Sequence, residues 1–209
     1  MPASLAAARP RLNASDRRAS ILVAAGTIFA QHGFHGTSTA RIAQAAGCSE
    51  PLVYKLFPTK QALFAAVIEA SAETLRERIG SCCSASTPAE RYGAVLDALA
   101  EDPVVAEGFR LRALALALVD EPEIQAAVES SMSAAHARTT ASLEESQTSG
   151  AVRDDVAAGD IAWLMMGLAL LAASVHALDP VGGLPRIDSV RTSLRRLLEP
   201  APTTTGAPA

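Results

Sequence analysis

Along the chain, stretches with an apolar residue every third or fourth position alternate with short breaks rich in Gly, Pro and Ser. That rhythm predicts helices throughout and no strands. Ile21, Ala25, Ile28, Phe29 and His32 share one face and predict a first helix from about Asp16 to His32, closed by Gly33. Ser38 caps a second, short helix whose apolar face is Ile42, Ala43 and Ala46, and Gly47 follows as the residue best able to turn left-handed. Ser49 caps a third, with Glu50 at its positive end, Pro51 in the first turn, and Val53 and Phe57 on the inner face. Ala43 is small where two helices cross closely, Gly47 turns the chain and Val53 plugs the angle. Together these make a helix-turn-helix, whose second helix enters the DNA major groove by its N-terminal end.

Beyond it the pattern predicts a long connector helix over residues 60–79. Its inner side is Leu63, Val67, Ala70, Thr74 and Ile79; Glu69, Glu73, Arg76, Glu77 and Arg78 lie outside. A Ser- and Pro-rich break, 80–88, holds Cys82 and Cys83. It reads as a plain loop, because nothing nearby would lower a thiol pKa, with a redox switch as the less favoured alternative. Further helices are expected over 89–99 and 104–119, then one started by Glu121-Pro122-Glu123 and closed by Ser149-Gly150, and others over 161–178 (capped by Asp160) and 187–198. Residues 161–178 carry no Asp, Glu, Lys or Arg. One such segment, containing His176 and without a basic flank, reads better as a helix buried on two sides than as a membrane span. With the last helix it forms half of a four-helix dimer seam, through Ile161, Leu164, Leu168, Leu171, Val175, Val190, Leu194 and Leu197.

The expected organisation is therefore all-α. A flexible arm (1–13) leads into a three-helix DNA-binding unit (14–60) and the connector. A helical effector-binding and dimerisation domain (80–198) and a disordered tail (199–209) follow. In the arm region, Arg9, Arg11, Arg17 and Arg18 either reach phosphate or minor groove, or belong to a solvated tail.

Charge sharpens this picture. The chain has 18 Lys and Arg against 22 Asp and Glu, yet residues 1–60 hold seven of the basic residues and two of the acids. Both lysines, Lys55 and Lys60, are there. A basic end on an acidic body points to a polyanion-binding head. Three cysteines, two of them adjacent, make no disulfide framework, and the N-terminus lacks a signal-peptide pattern, so a cytoplasmic protein is expected.

The segment from Arg18 to Ala70 resembles the TetR family of transcriptional regulators. The likeness is carried by Ile21-Leu22-Val23-Ala24-Ala25, Phe29, Gly33-Phe34, Thr37-Ser38, Ile42-Ala43, Ala46-Gly47, Tyr54, Phe57-Pro58, Lys60 and Leu63-Phe64. Cys48 stands where the family usually has Val, and Leu56 where many members carry a polar or aromatic residue. The resemblance implies a dimer whose body takes a small-molecule effector and whose heads leave the operator when it binds. It supports DNA contacts at Thr39, Glu50, Pro51, Tyr54, Lys55 and Lys60.

Residue chemistry assigns the roles. Thr37, Tyr54 and Lys60 would hold phosphates; Thr39, Glu50 and Lys55 would meet base edges. Pro51 and Leu52 would meet a thymine methyl, Arg41 would serve either purpose or pair with an acid, and Ser38 stands at the same helix end. Phe109, Arg112, Met132, His136, Trp163 and Met166 are the larger or polar residues on presumed core helices, hence the candidate pocket, and the scarcity of polar residues there suggests an apolar effector. The sequence shows no nucleophile–base pair, phosphate-cradling loop or metal cluster, so neither an enzyme nor a cofactor is expected. A ligand-free architectural or adaptor protein is the alternative, and a body with no cavity would favour it.

Overall fold

The computed structural model describes residues 13–82, 87–178 and 188–199. The expectations for the arm (Arg9 and Arg11), the tail beyond Glu199, Cys83 and the side chains of His176 and Val190 lie outside the described residues. Within them the chain is all-helical: α1 (Ala14–His32), α2 (Thr39–Ala45), α3 (Glu50–Leu56), α4 (Lys60–Cys82), α5 (Pro88–Glu101), α6 (Pro103–Leu116), α7 (Pro122–Thr148), α8 (Ala158–Leu178) and α9 (Asp188–Leu198).

The caps explain most boundaries. The Asn13 side chain accepts from the Asp16 N–H, so α1 begins two residues earlier than its apolar face suggests. Thr87 and Glu90 form a reciprocal capping box that starts α5. Asp102 caps α6, and Pro122 opens α7 at its first turn. Gly150, at φ 74°, closes α7. Asp160 falls in the first turn of α8 rather than at its cap, since the helix starts at Ala158. Helix α6 stops at Leu116, short of the expected 119; Ala117 and Leu118 continue as turns with N–H groups bonded three residues back.

Two apolar clusters fill the molecule. The first joins α1–α4 (Ile21, Phe29, Ile42, Val53, Phe57, Phe64) to residues of the body, Leu111 and Ala115 on α6 and Ile124, Ala127 and Val128 on α7. Phe29 packs edge-on against Phe64 at 4.8 Å and stacks with Phe34 at 5.9 Å. These rings build a core from few residues. The second cluster joins Leu75, Tyr92, Leu99, Val105, Phe109, Leu143, Ile161 and Met165 with Leu194 and Leu198 of α9.

Helix α4 belongs to both clusters. It is buried continuously from Leu63 to Ile68, where α1, α6 and α7 surround it. Lower down, Leu75 is the inward residue and Thr74 is exposed, a correction to the expected face. Helix α6 crosses α4 at Gly108, where an added Cβ would lie 2.9 Å from Leu75. That spacing is possible only without a side chain on α6.

Helix α8 is long and apolar enough to cross a membrane by length and composition. Here Ile161, Ala162, Met165, Ala169 and Ala172 are buried in the second cluster, which makes it a core helix. Its outer stripe is different: Leu164 is 71% and Leu171 59% exposed, and Leu197 of α9 is 60% exposed.

Candidate nucleic-acid interface and ligand cavity

The turn between α2 and α3 is built as its residues require. Ser38 Oγ accepts from the Arg41 N–H at 3.3 Å. Gly47 takes φ 63°, and the Cys48 N–H closes the turn on the Ala43 carbonyl at 2.9 Å. Ser49 occupies the cap position of α3 without a side-chain bond. Ala43 is 2% exposed and Val53 fully buried, so the crossing angle is fixed by packing.

The outward edge of this unit carries Ser38, Arg41, Pro51, Tyr54 and Lys55, all exposed, with Glu50 and Leu52 half-buried beside them. Two of the expected contacts are corrected. Thr37 is 3% exposed and its hydroxyl donates to the Gly33 carbonyl at 2.8 Å, so it braces the end of α1 and presents nothing to phosphate. Thr39 is 6% exposed, and its Oγ1 lies 2.5 Å from Glu50 Oε1 and 3.0 Å from the Tyr54 hydroxyl. A hydroxyl has one proton and an ionised carboxylate only accepts, so Thr39 donates to Glu50 and Tyr54 donates to Thr39. Thr39 therefore ties α2 to α3 and leaves base edges to the residues it positions.

Lys60 opens α4 with its ammonium 4.4 Å from the centre of the Phe34 ring, and burial pushes its pKa down. Arg18 lies similarly over Phe57, at 4.9 Å. Cys48 packs against the head core, and burial raises its thiol pKa while Arg17 pulls the other way. Just beyond Lys60, Thr59 donates to Glu123 at 3.0 Å and Gln61 to Glu121 at 3.4 Å, linking the start of α4 to the start of α7.

The body holds a partly open cavity of about 580 Å3 between α4, α5, α6, α7 and α8. Phe109, Arg112, Met132, Trp163 and Met166 line it. His136 does not: its Nε2 donates to the Gly159 carbonyl at 2.9 Å, and its ring stacks on Trp163 from behind. Residues that periodicity alone missed include Leu75, Arg76, Arg91, Tyr92, Arg138, Thr139 and Ser142. The α7 face was a usable signal, because Ser131, Thr139 and Ser142 recur on it at helical spacing where a packed core would want larger apolar groups. Tyr92 donates to the Met165 carbonyl at 2.6 Å, and burial raises its pKa beyond the usual phenol range.

Of the expected seam residues, Leu164, Leu171 and Leu197 face outward and Leu168 and Val175 are half-buried. Ile161 and Leu194, at 5% and 8% exposure, instead point into their own subunit's second cluster, a further correction. Among the described residues no group of His, Cys, Asp and Glu gathers to hold a metal ion.

A short α3 set across α2 by Gly47 and Val53, with a long α4 leading into a helical body, defines a helix-turn-helix unit joined to an all-helical body. The profile "Bacterial regulatory proteins, tetR family" matches residues 21–67, so the head of this protein is similar to that of TetR-family regulators. RutR of Escherichia coli is 44% identical over 54 residues, 26% of this chain and 26% of its own length. The transcriptional activator FasR of Mycolicibacterium smegmatis is 35% identical over 65 residues, 31% of this chain and 30% of its own. The match therefore spans less than a third of either relative. The fold extends further. Salmonella enterica GusR superposes with a TM-score of 0.73 at 22% identity, covering 91% of this chain and 99% of that one. A Saccharomonospora viridis regulator in complex with choline gives 0.71 at 18% identity (87% and 95%). Bacillus subtilis FadR in complex with stearoyl-CoA gives 0.64 at 16% (86% and 96%).

Proposed function

We propose that this protein is a dimeric, sequence-specific DNA-binding repressor, working in the cytoplasm and released from a near-palindromic operator by a small molecule in its body. The exposed edge of α3, held at a fixed angle to α2 by the Thr39–Glu50 bond and the buried Val53, carries the reading. Lys55 and Glu50 would read bases, and Pro51 and Leu52 would meet thymine methyl groups. Tyr54, Lys60 and Arg41 would set register on the phosphates.

One helix of this length reads only a few base pairs. Two heads about 34 Å apart multiply that specificity. The outward stripe of Leu164, Leu168, Leu171 and Val175 has the four-three-four spacing of a helix seam, and Leu197 extends it. The division into head, connector and body follows the same scheme. Ligand in the body would favour a head spacing that no longer fits the operator, by as much as its affinity differs between the two states. That neighbours of this fold are described with choline and with stearoyl-CoA supports a body that takes small molecules. The architectural alternative called for a filled body, and the cavity of about 580 Å3 counts against it.

The test is selection of bound duplexes from a random pool by the purified protein at low salt. A recovered site with two inverted half-sites is the expected outcome. Failure to enrich any duplex overturns the reading.

A further inference from the structure

The cavity has an unusual charge content. Arg76, Arg91, Arg112 and Arg138 line it, and no described Asp or Glu does. Two of these guanidiniums are engaged locally: Arg76 with Glu73 and Glu77, and Arg91 with the Ser142 hydroxyl at 2.9 Å. Arg138 lies near enough to Glu73 to act on it electrostatically. Arg112 is set deeper, in mid-α6. Its Nε is buried with no hydrogen-bond partner, its guanidinium lies 6.0 Å from the Phe109 ring, and Arg138 is the charge it feels. Burial, and then Arg138, lowers its pKa, though a guanidinium keeps its proton. A desolvated cation without a counter-ion, next to a second cation, is a costly arrangement. A guest anion supplies what is missing, and a planar carboxylate matches the guanidinium fork. The remaining walls, including Ile68, Leu75, Met132 and Leu170, are apolar.

We propose that the cavity takes an amphipathic carboxylate, its acid group on Arg112 with Arg138 alongside and its hydrocarbon body against those apolar walls. This sharpens the apolar effector expected from sequence by giving it a negative head. It rests on the cavity being the effector site of the regulator proposed above. Within the roughly 300–1,000 Å3 range of small-molecule pockets, the space suits a guest of drug or medium-chain acyl size.

The experiment titrates full-length protein with decanoate, decanol, decyltrimethylammonium and decanoyl-CoA, below their micellar concentrations, by calorimetry. Decanoate is expected to bind at least about tenfold more tightly than decanol, and the ammonium compound more weakly than either. Arg112→Gln should bring decanoate down to the level of decanol while leaving decanol within about twofold. If that variant does not fold, the head-group series on the native protein decides alone. Decanol binding as tightly as decanoate overturns the proposal. So does a preference for the acid that survives Arg112→Gln. Tight decanoyl-CoA with decanoate no better than decanol assigns the anion to phosphate and overturns the carboxylate. Release of a selected duplex is measured separately. Decanoate that binds without releasing DNA leaves the anion site standing and removes its effector role; release by decanol but not decanoate does the reverse.

Discussion

The Trp163 indole stacks on the His136 imidazole, with ring centroids 4.5 Å and planes 27° apart, and His136 is itself anchored to the Gly159 carbonyl at 2.9 Å. The cavity wall thus has a second layer that sets the angle of its largest aromatic. Trp163 is the chain's single tryptophan and is 49% exposed, so its emission reports on the cavity. His136→Ala removes the stack and the anchor. It should cost about 1 kcal/mol and make the indole more accessible to acrylamide. Unchanged quenching would show that the indole holds its place without the histidine.

The Tyr54–Thr39–Glu50 chain makes an ordering of mutants. Thr39→Val breaks both bonds at once and should lower stability to urea by about 1–2 kcal/mol, with DNA affinity falling as α3 loses its tie to α2. Tyr54→Phe leaves the Thr39–Glu50 bond and should be milder for stability. Equal losses in the two variants would contradict the proton assignment.

Lys60 and Thr37 separate electrostatic from structural roles at the same end of the head. Lys60→Ala should weaken binding to all sequences alike and reduce the slope of log affinity against log salt by about one. Thr37→Val removes the bond to Gly33 and should cost about 1 kcal/mol of stability with the salt slope unchanged. Salt titrations of both variants on one duplex are the check.

Gly108→Ala places a methyl 2.9 Å from Leu75, which is buried at the α4–α6 crossing and must shift toward the cavity it lines. Overpacking there should cost about 1–3 kcal/mol. Combining it with Leu75→Ala should recover part of that loss, and a double-mutant cycle by chemical denaturation measures the coupling. Strict additivity would mean that the α4–α6 crossing adjusts freely.

Leu164→Glu or Leu171→Glu puts a charge on the outward stripe of α8, where neither side chain serves the subunit's own core. Sedimentation should show monomers with unchanged helicity, and operator affinity should collapse. A dimer that survives both changes would place the seam elsewhere.

The head was legible in the sequence almost residue by residue, because its demands are local. A capping hydroxyl, a left-handed glycine and an apolar face three or four apart each leave a mark within one turn. Thr37 and Thr39 were misread for the same reason. Their types suit DNA, but burial is a property of the folded neighbourhood, and the partners of Thr39 lie 11 and 15 residues away. Ile161 and Leu194 show the limit on a helix that is apolar all round: with no polar side to mark direction, periodicity cannot say which stripe faces home. The cavity was half legible. Large side chains on the core helices stand out in the sequence, whereas Arg76, exposed and paired with Glu73 and Glu77 on what reads as an outer face, borders the cavity without any periodic mark.

The apolar cluster that runs from Phe29 and Phe64 into Leu111, Ala115 and Ile124 ignores the border between reading head and body. Neither part can melt without stripping the other of neighbours, so heat should take both apart in one cooperative step. On the proposed mechanism, a compound that fills the body would raise the melting temperature of the helix that reads the operator, even as it loosened that helix from DNA. Thermal protection and loss of grip would be two readings of one binding event.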